Sequence, residues 1–139
     1  MVAVRMILRL LAAGGLAVDA AVHAKLAGQY DAVAASISQG TLFRIEAGAA
    51  ALAVVLVLAW RRLPGDVFAW LTAAAGLAAI LLYRYVDVGS FGPLPNMYEP
   101  IWSADKLWAL AGQALALLAL IPLIAADRHP SGTEPRPEA

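Results

Sequence analysis

Four apolar runs alternate with polar connectors along this chain of 139 residues. They cover residues 6–27, 41–60, 67–86 and 101–126. Each is close to or above the length at which a helix rising about 1.5 Å per residue crosses a hydrocarbon core. The pattern predicts an all-α, polytopic membrane protein: one domain, residues 1–126, folded as an antiparallel four-transmembrane-helix bundle, because short connectors make consecutive helices antiparallel neighbours. The basic start and apolar run also resemble a secretory signal peptide, but the run is long for one and three further spans follow. The 28–40 connector is polar. Arg61-Arg62 and then Pro64-Gly65 read as a turn between the second and third spans. The longest connector, residues 87–100 (DVGSFGPLPNMYEP), holds prolines and glycines that forbid a regular helix. Its aromatic and apolar content predicts an ordered cap on the external face. Residues 127–139 are Pro-rich and polar, which predicts a disordered cytoplasmic tail; His129 within it reads as incidental.

Composition narrows the function. The chain is 62% hydrophobic and 14% charged, against about half and a quarter for a soluble domain. Net charge is zero, so nothing points to nucleic acid. Cysteine is absent and histidine occurs twice, which removes thiol chemistry and any three-histidine metal site in one chain. Arg5, Arg9, Arg61, Arg62, Arg128 and Arg136 fall on one side of the predicted bundle. Lys25, Arg44, Arg84 and Lys106 fall on the other, beside acidic neighbours. Basic residues favour the cytoplasmic side, so both termini are expected there, in a multi-pass protein of the cell membrane.

The charges within the spans carry the functional signal. Counting along each helix puts Asp19 roughly 10–12 Å below the outer end of the first span, with His23 one turn above it on the same face. Glu46 lies one to two turns into the second span. Arg84 closes the third, Lys106 opens the fourth, and Gln113 lies deeper in the fourth. With Lys25, Arg44, Asp87 and Asp105 these groups are expected to form one polar layer, above an inner half made almost wholly of Ala, Leu, Val and Ile. An ionised side chain near the bilayer centre costs at least about 2.5–3.5 kcal/mol, and Asp and Glu are too short to reach water as Lys and Arg do. Asp19 and Glu46 therefore face the bundle interior, while Arg44, about 200° around the helix from Glu46, faces away.

Two readings of the layer stay open. It is interhelical glue that sets helix register, or it lines an outward-facing cavity in which Asp19, His23, Glu46, Arg84, Lys106 and Gln113 bind a ligand or relay a proton. His plus two carboxylates also makes a divalent metal site from Asp19, His23 and Glu46 if they converge. Small residues at Gly14-Gly15, Ala47–Ala50, Gly112 and Ala116 permit close helix approach, within the chain or in a homo-oligomer.

Leu8-Arg9-Leu10-Leu11, a glycine-containing middle and a lysine near the outer end make the first span resemble the opening of DoxX-like small membrane proteins. The Gly92–Trp102 loop followed by Lys106 is similar to that of uncharacterised four-span proteins of high-GC actinobacteria. The resemblance implies a four-helix bundle with both ends on one side. DoxX relatives belong to sulfur and thiol redox assemblies; with no cysteine here, that chemistry does not carry over, and the resemblance assigns no site residue. The resulting expectation is a non-enzymatic accessory subunit, or a binder of a small ligand or ion. Its partners are the bilayer and either another membrane protein or a second copy of the chain. The alternatives are a small membrane enzyme or redox partner acting on a quinone or lipid, with His23 as acid–base and Asp19 orienting it, and a transporter protomer.

Overall fold

The computed structural model describes residues 1–128. Most of the 127–139 tail expectation therefore lies outside the described residues, His129 and Arg136 included. Asp127 and Arg128 are not tail but the last residues of a helix. The named elements are all helices, with no strand among the described residues. Helix α1 is Val2–Leu26, followed by a tight turn of 3-10 helix over Ala27–Tyr30. Helix α2 is Gln39–Val55 and runs on into a π-turn, Leu56–Trp60. Helices α3 and α4 are Leu63–Tyr85 and Ala104–Arg128. Three of these are long and apolar enough to cross a membrane: α2 with its π-turn, α3 and α4. Helix α1 is as long, but carries Arg5, Arg9, Asp19 and Lys25.

The helices form a ring in which α1 packs on α2 and α4, α3 packs on α4, and α2 and α3 touch least closely of the adjacent pairs. Salt bridges fix the antiparallel sense of α1 and α4. Arg5 meets Asp127 at 2.6 Å at one end, and Lys25 meets Asp105 at 3.0 Å at the other. Both chain ends of the bundle therefore share one face, the terminal end. The two long connectors share the opposite, capped end, where the Ile37 N–H donates to the Pro93 carbonyl at 3.0 Å and the Glu99 N–H to the Tyr83 carbonyl at 3.0 Å.

Alanine and glycine decide how closely the helices approach. A Cβ on Gly15 would overlap the Gly112 carbonyl oxygen, and a Cβ on Gly112 would come within 2.6 Å of the Gly15 carbonyl. The α1 and α4 backbones are thus in direct contact, the mode that suits an apolar solvent, where packing rather than water release joins helices. Gly14 and Gly48 face open space instead. Leu16, Val57, Ala73 and Leu120 fill the centre of the terminal half and are fully buried. Ile7, Leu52, Leu71 and Leu118 point outward.

Two expectations are corrected at the terminal end. Pro64-Gly65 is not a turn. The turn is Arg61-Arg62, with Arg61 in the left-handed region (φ 57°), and Pro64 lies in the first turn of α3, where its missing N–H costs nothing. Gly65 lets that turn pack on the π-turn, since a Cβ there would come within 3.1 Å of Leu56 and the Trp60 ring. Nor is the terminal half purely apolar. Arg9 and Asp66, at 4% and 0% exposure, form a two-pronged ion pair of 2.9 and 3.2 Å. Arg9 also donates to the Val57 carbonyl at 3.0 Å, inside the π-turn, where the widened backbone leaves carbonyls without a regular helical partner.

Candidate functional site

Beneath the capped end, one side chain from each of three helices meets at Asp19. Its Oδ1 lies 2.7 Å from His23 Nδ1, four residues on along α1, and accepts from Gln113 Nε2 of α4 at 3.1 Å. His23 Nδ1 is also 2.9 Å from the Asp19 carbonyl. These oxygens engage Nδ1, and Nε2 makes no hydrogen bond among the described residues. Glu46, from α2, reaches the Asp19 carboxyl. It rests with Gln113 against Gly76 of α3, at the place where any larger residue would put its Cβ. Asp19 and Gln113 are wholly buried and His23 nearly so. Phe43 of α2 stands edge-on to the His23 ring, 5.1 Å between centres.

This cluster is only partly satisfied. Asp19 Oδ2, Glu46 Oε1 and Gln113 Oε1 are buried without a hydrogen-bond partner. An unpaired buried acceptor costs about 1–3 kcal/mol in a dry interior.

Above the cluster is a cavity of about 320 Å³. All four helices and both connectors contribute to its wall, which is mainly apolar: Val22, Leu42, Phe43, Ala79, Ile80 and Met97. His23, Glu46, Arg84 and Lys106 supply polar atoms to it. Arg84, at the end of α3, lies over the rings of Tyr85 and Trp102 at 4.9 and 5.3 Å and has no carboxylate partner among the described residues; its Nε is buried and unpaired. Lys106 is fully engaged, by the carbonyls of Ile101 and Glu99 at 2.7 and 3.1 Å and by Glu99 Oε2 at 3.4 Å.

The expected single layer is therefore two tiers. Asp19, His23, Glu46 and Gln113 form the lower one. The upper tier is the cap and the helix ends, where Lys25 pairs with Asp105, Arg44 grips Asp31 through two contacts of 2.7 and 2.8 Å, and the Asp87 carboxylate accepts from the Gly89 N–H. The Arg44 guanidinium holds the Asp31 carboxyl below its usual range. Tyr30 donates to Glu99 at 3.0 Å; burial first, then this bond and the Glu99 charge, push its phenol up to about 12. Tyr30 and Glu99 carried no site signal in the sequence, and Gly76 gave none apart from being the one glycine in an alanine-rich stretch.

The metal expectation does not carry over. Among the described residues no group of three His, Asp or Glu side chains is arranged to hold a metal ion. Asp19, His23 and Glu46 do come together, but His23 Nδ1 and Gln113 Nε2 already occupy Asp19 Oδ1.

The structure thus defines an all-helical protein with three helices long and apolar enough to cross a membrane and a cavity at one end. Comparison with family models, with curated proteins and with solved structures finds no match.

Proposed function

We propose that this chain is a four-span protein of the cell membrane that binds a small, largely apolar molecule carrying a polar group, in the cavity at its outer end. It acts as a binding or accessory subunit, in contact with another membrane protein or a second copy of itself. The observation that carries this reading is the cavity: apolar walls with a few polar atoms, at about 320 Å³ within the range of small-molecule sites, about 300–1,000 Å³. The fourth span is α1. Its interior charges have partners inside the bundle, Arg9 on Asp66 and Asp19 on His23 and Gln113, which removes the main cost of placing them in lipid. Arg5, Arg9, Arg61, Arg62 and Arg128 gather at the terminal end, which supports cytoplasmic termini. The topology is that of the DoxX-like proteins this chain resembles; nothing of their thiol chemistry is carried with it.

The terminal half offers no route onward. Leu16, Val57 and Leu120 are fully buried across its centre and Arg9 and Asp66 are locked together. This favours a binder over a transporter. A second reading, a small enzyme acting on a quinone or lipid, is favoured by one observation: His23 is held by Asp19 at 2.7 Å, which leaves Nε2 to serve as acid–base toward a molecule in the cavity.

The test is thermal unfolding in lipid nanodiscs with alkyl amphiphiles, quinones and lipid extracts, for the wild type and for Ala79→Phe, which fills the cavity. Stabilisation of the wild type that Ala79→Phe loses supports the reading. Equal melting of both proteins under every addition sinks it.

A further inference from the structure

The cavity wall carries two cations, Arg84 and Lys106, and near the cap one carboxylate, Glu99. Lys106 and Glu99 answer each other at 3.4 Å, and Glu99 also accepts from Tyr30 at 3.0 Å. The other carboxyl of the wall, Glu46, lies at the floor against Asp19. Two carboxyls in contact there hold a proton between them, so Glu46 adds no charge of its own. Elsewhere at the capped end Lys25 is paired with Asp105 and Arg44 with Asp31. Asp87, three residues beyond Arg84, turns to the Gly89 N–H instead. Arg84 is left with no carboxylate partner among the described residues, and its Nε is buried without an acceptor. Tyr85 and Trp102 lie against its guanidinium at 4.9 and 5.3 Å. They hold the group in place without neutralising it.

Resting on the proposed cavity reading, we infer that the occupant is a single-chain amphiphile with an anionic head, its carboxylate or phosphate seated on the Arg84 guanidinium and its chain running down the cavity along α3. A guanidinium presents its N–H donors as a planar fork that fits two oxygens of either head. An anion there also answers the unpaired charge. From Arg84 the wall descends α3 through Ile80 and Ala79 to Gly76, about 12 Å below, and Leu42 and Phe43 of α2 line the same space. A cavity of about 320 Å³ holds about ten groups the size of a water molecule or a methylene. That is one short chain and its head, not the two long chains of a bilayer lipid. An ammonium head meets repulsion from Arg84, and an alcohol brings no charge. Helices α2 and α3 touch least closely of the adjacent pairs, which gives a chain from the bilayer a way in between them.

The experiment measures binding of octyl phosphate, octanoate, octanol and octylamine to the purified protein in phosphatidylcholine nanodiscs at neutral pH, with protein-free nanodiscs subtracted. The expected result is octyl phosphate and octanoate about tenfold tighter than octanol, the difference one charge-assisted hydrogen bond makes, with that advantage lost in Arg84→Gln. An advantage confined to one of the two anions supports the assignment and names the head. Ala79→Phe, which fills the place of the chain, should weaken both. If Arg84→Gln does not fold, the order of the four compounds on wild-type protein decides. Octanol or octylamine binding as tightly as both anions overturns the anion assignment and leaves the cavity reading standing. Anion binding that needs Arg84 but is unchanged in Ala79→Phe puts the chain in the bilayer, where a lipid's own phosphate serves as well, and overturns the single-chain occupant. No saturable binding by any of the four overturns both readings.

Discussion

Arg9 and Asp66 form a two-pronged ion pair of 2.9 and 3.2 Å between the first turns of α1 and the start of α3, wholly inside the terminal half of the bundle. The third hydrogen bond of Arg9 goes to Val57 in the π-turn of α2, so one guanidinium holds three helices. These helices are otherwise joined there by alanine, valine and leucine, whose contacts slide. The pair gives that surface a register.

Breaking the pair from one side leaves a buried charge without its partner. Asp66→Asn and Arg9→Met should each cost about 3–5 kcal/mol. Arg9→Met with Asp66→Leu together should recover most of that loss, because two buried charges are removed at once. Unfolding of the three variants by titration with denaturing detergent checks this. Additive losses in the double variant would show that the pair has no coupling.

How much of this was legible in the sequence differs from residue to residue. The apolar runs were, since length and hydropathy need no tertiary information, and α2, α3 and α4 follow them to within a few residues. Pro64-Gly65 misled because the same dipeptide that makes a turn also suits the first turn of a helix, and only the neighbouring π-turn decides. Arg9 read only as one of the basic residues of the cytoplasmic side, because depth can be counted along a chain while the direction of a side chain around its helix cannot. At the capped end, depth counting put Asp19 and Glu46 at similar heights. The vacancy at Gly76 that lets Glu46 and Gln113 approach belongs to a fourth helix and leaves no mark on the sequence near either.

The contact of α1 with α4 makes a matched pair of glycines informative. Gly15→Ala drives a methyl group into the Gly112 carbonyl, whereas Gly14→Ala meets open space. Overpacking of that kind costs about 1–3 kcal/mol. Gly14→Ala should be neutral or slightly stabilising, as alanine is the better helix former. Side-by-side thermal melts decide it, and equal loss in both variants would mean that α1 and α4 do not meet on this face.

Tyr30 ties the cap to itself through Glu99, and its phenol is raised from 10 to about 12. The folded protein thus keeps this proton where the unfolded chain loses it. The stabilisation from the Tyr30–Glu99 bond should be complete below about pH 10 and should fall away as pH rises from about 10 to 12. Ultraviolet titration of tyrosinate checks the ionisation, with Tyr30→Phe subtracted. Glu99→Gln should move the Tyr30 transition down, because two of its four causes, after burial, go with the Glu99 carboxylate. An unchanged transition would leave burial and the Asp105 charge as the causes.

The Asp19 carboxylate should be harder to replace than His23. Asp19→Ala strands the Gln113 amide in a dry interior, at about 1–3 kcal/mol, and leaves the His23 Nδ1–H with only the backbone carbonyl of residue 19. His23→Ala removes one donor, and the Asp19 carboxyl keeps Gln113 and Glu46. The ordering of the two losses in a denaturant titration is the test. A larger loss from His23→Ala would mean that the imidazole, rather than the carboxyl, is the hub of the cluster.

Because the chain has no cysteine, single cysteines report sidedness without background. The Ile37–Pro93 hydrogen bond puts the two long connectors against each other, while Arg5 and Asp127 sit together at the far end of the bundle. Ser36→Cys and Ser90→Cys should therefore both react with a membrane-impermeant maleimide added to intact cells. Val2→Cys should react only after the cells are opened, if α1 crosses with the other three and the arginine-rich end is inside. Labelling of all three from outside would remove α1 from the membrane and leave three spans. Labelling of Ser36→Cys and Ser90→Cys from opposite sides would break the cap, and with it the cavity, since Leu94, Met97 and Glu99 from one connector and Tyr30 from the other share its wall.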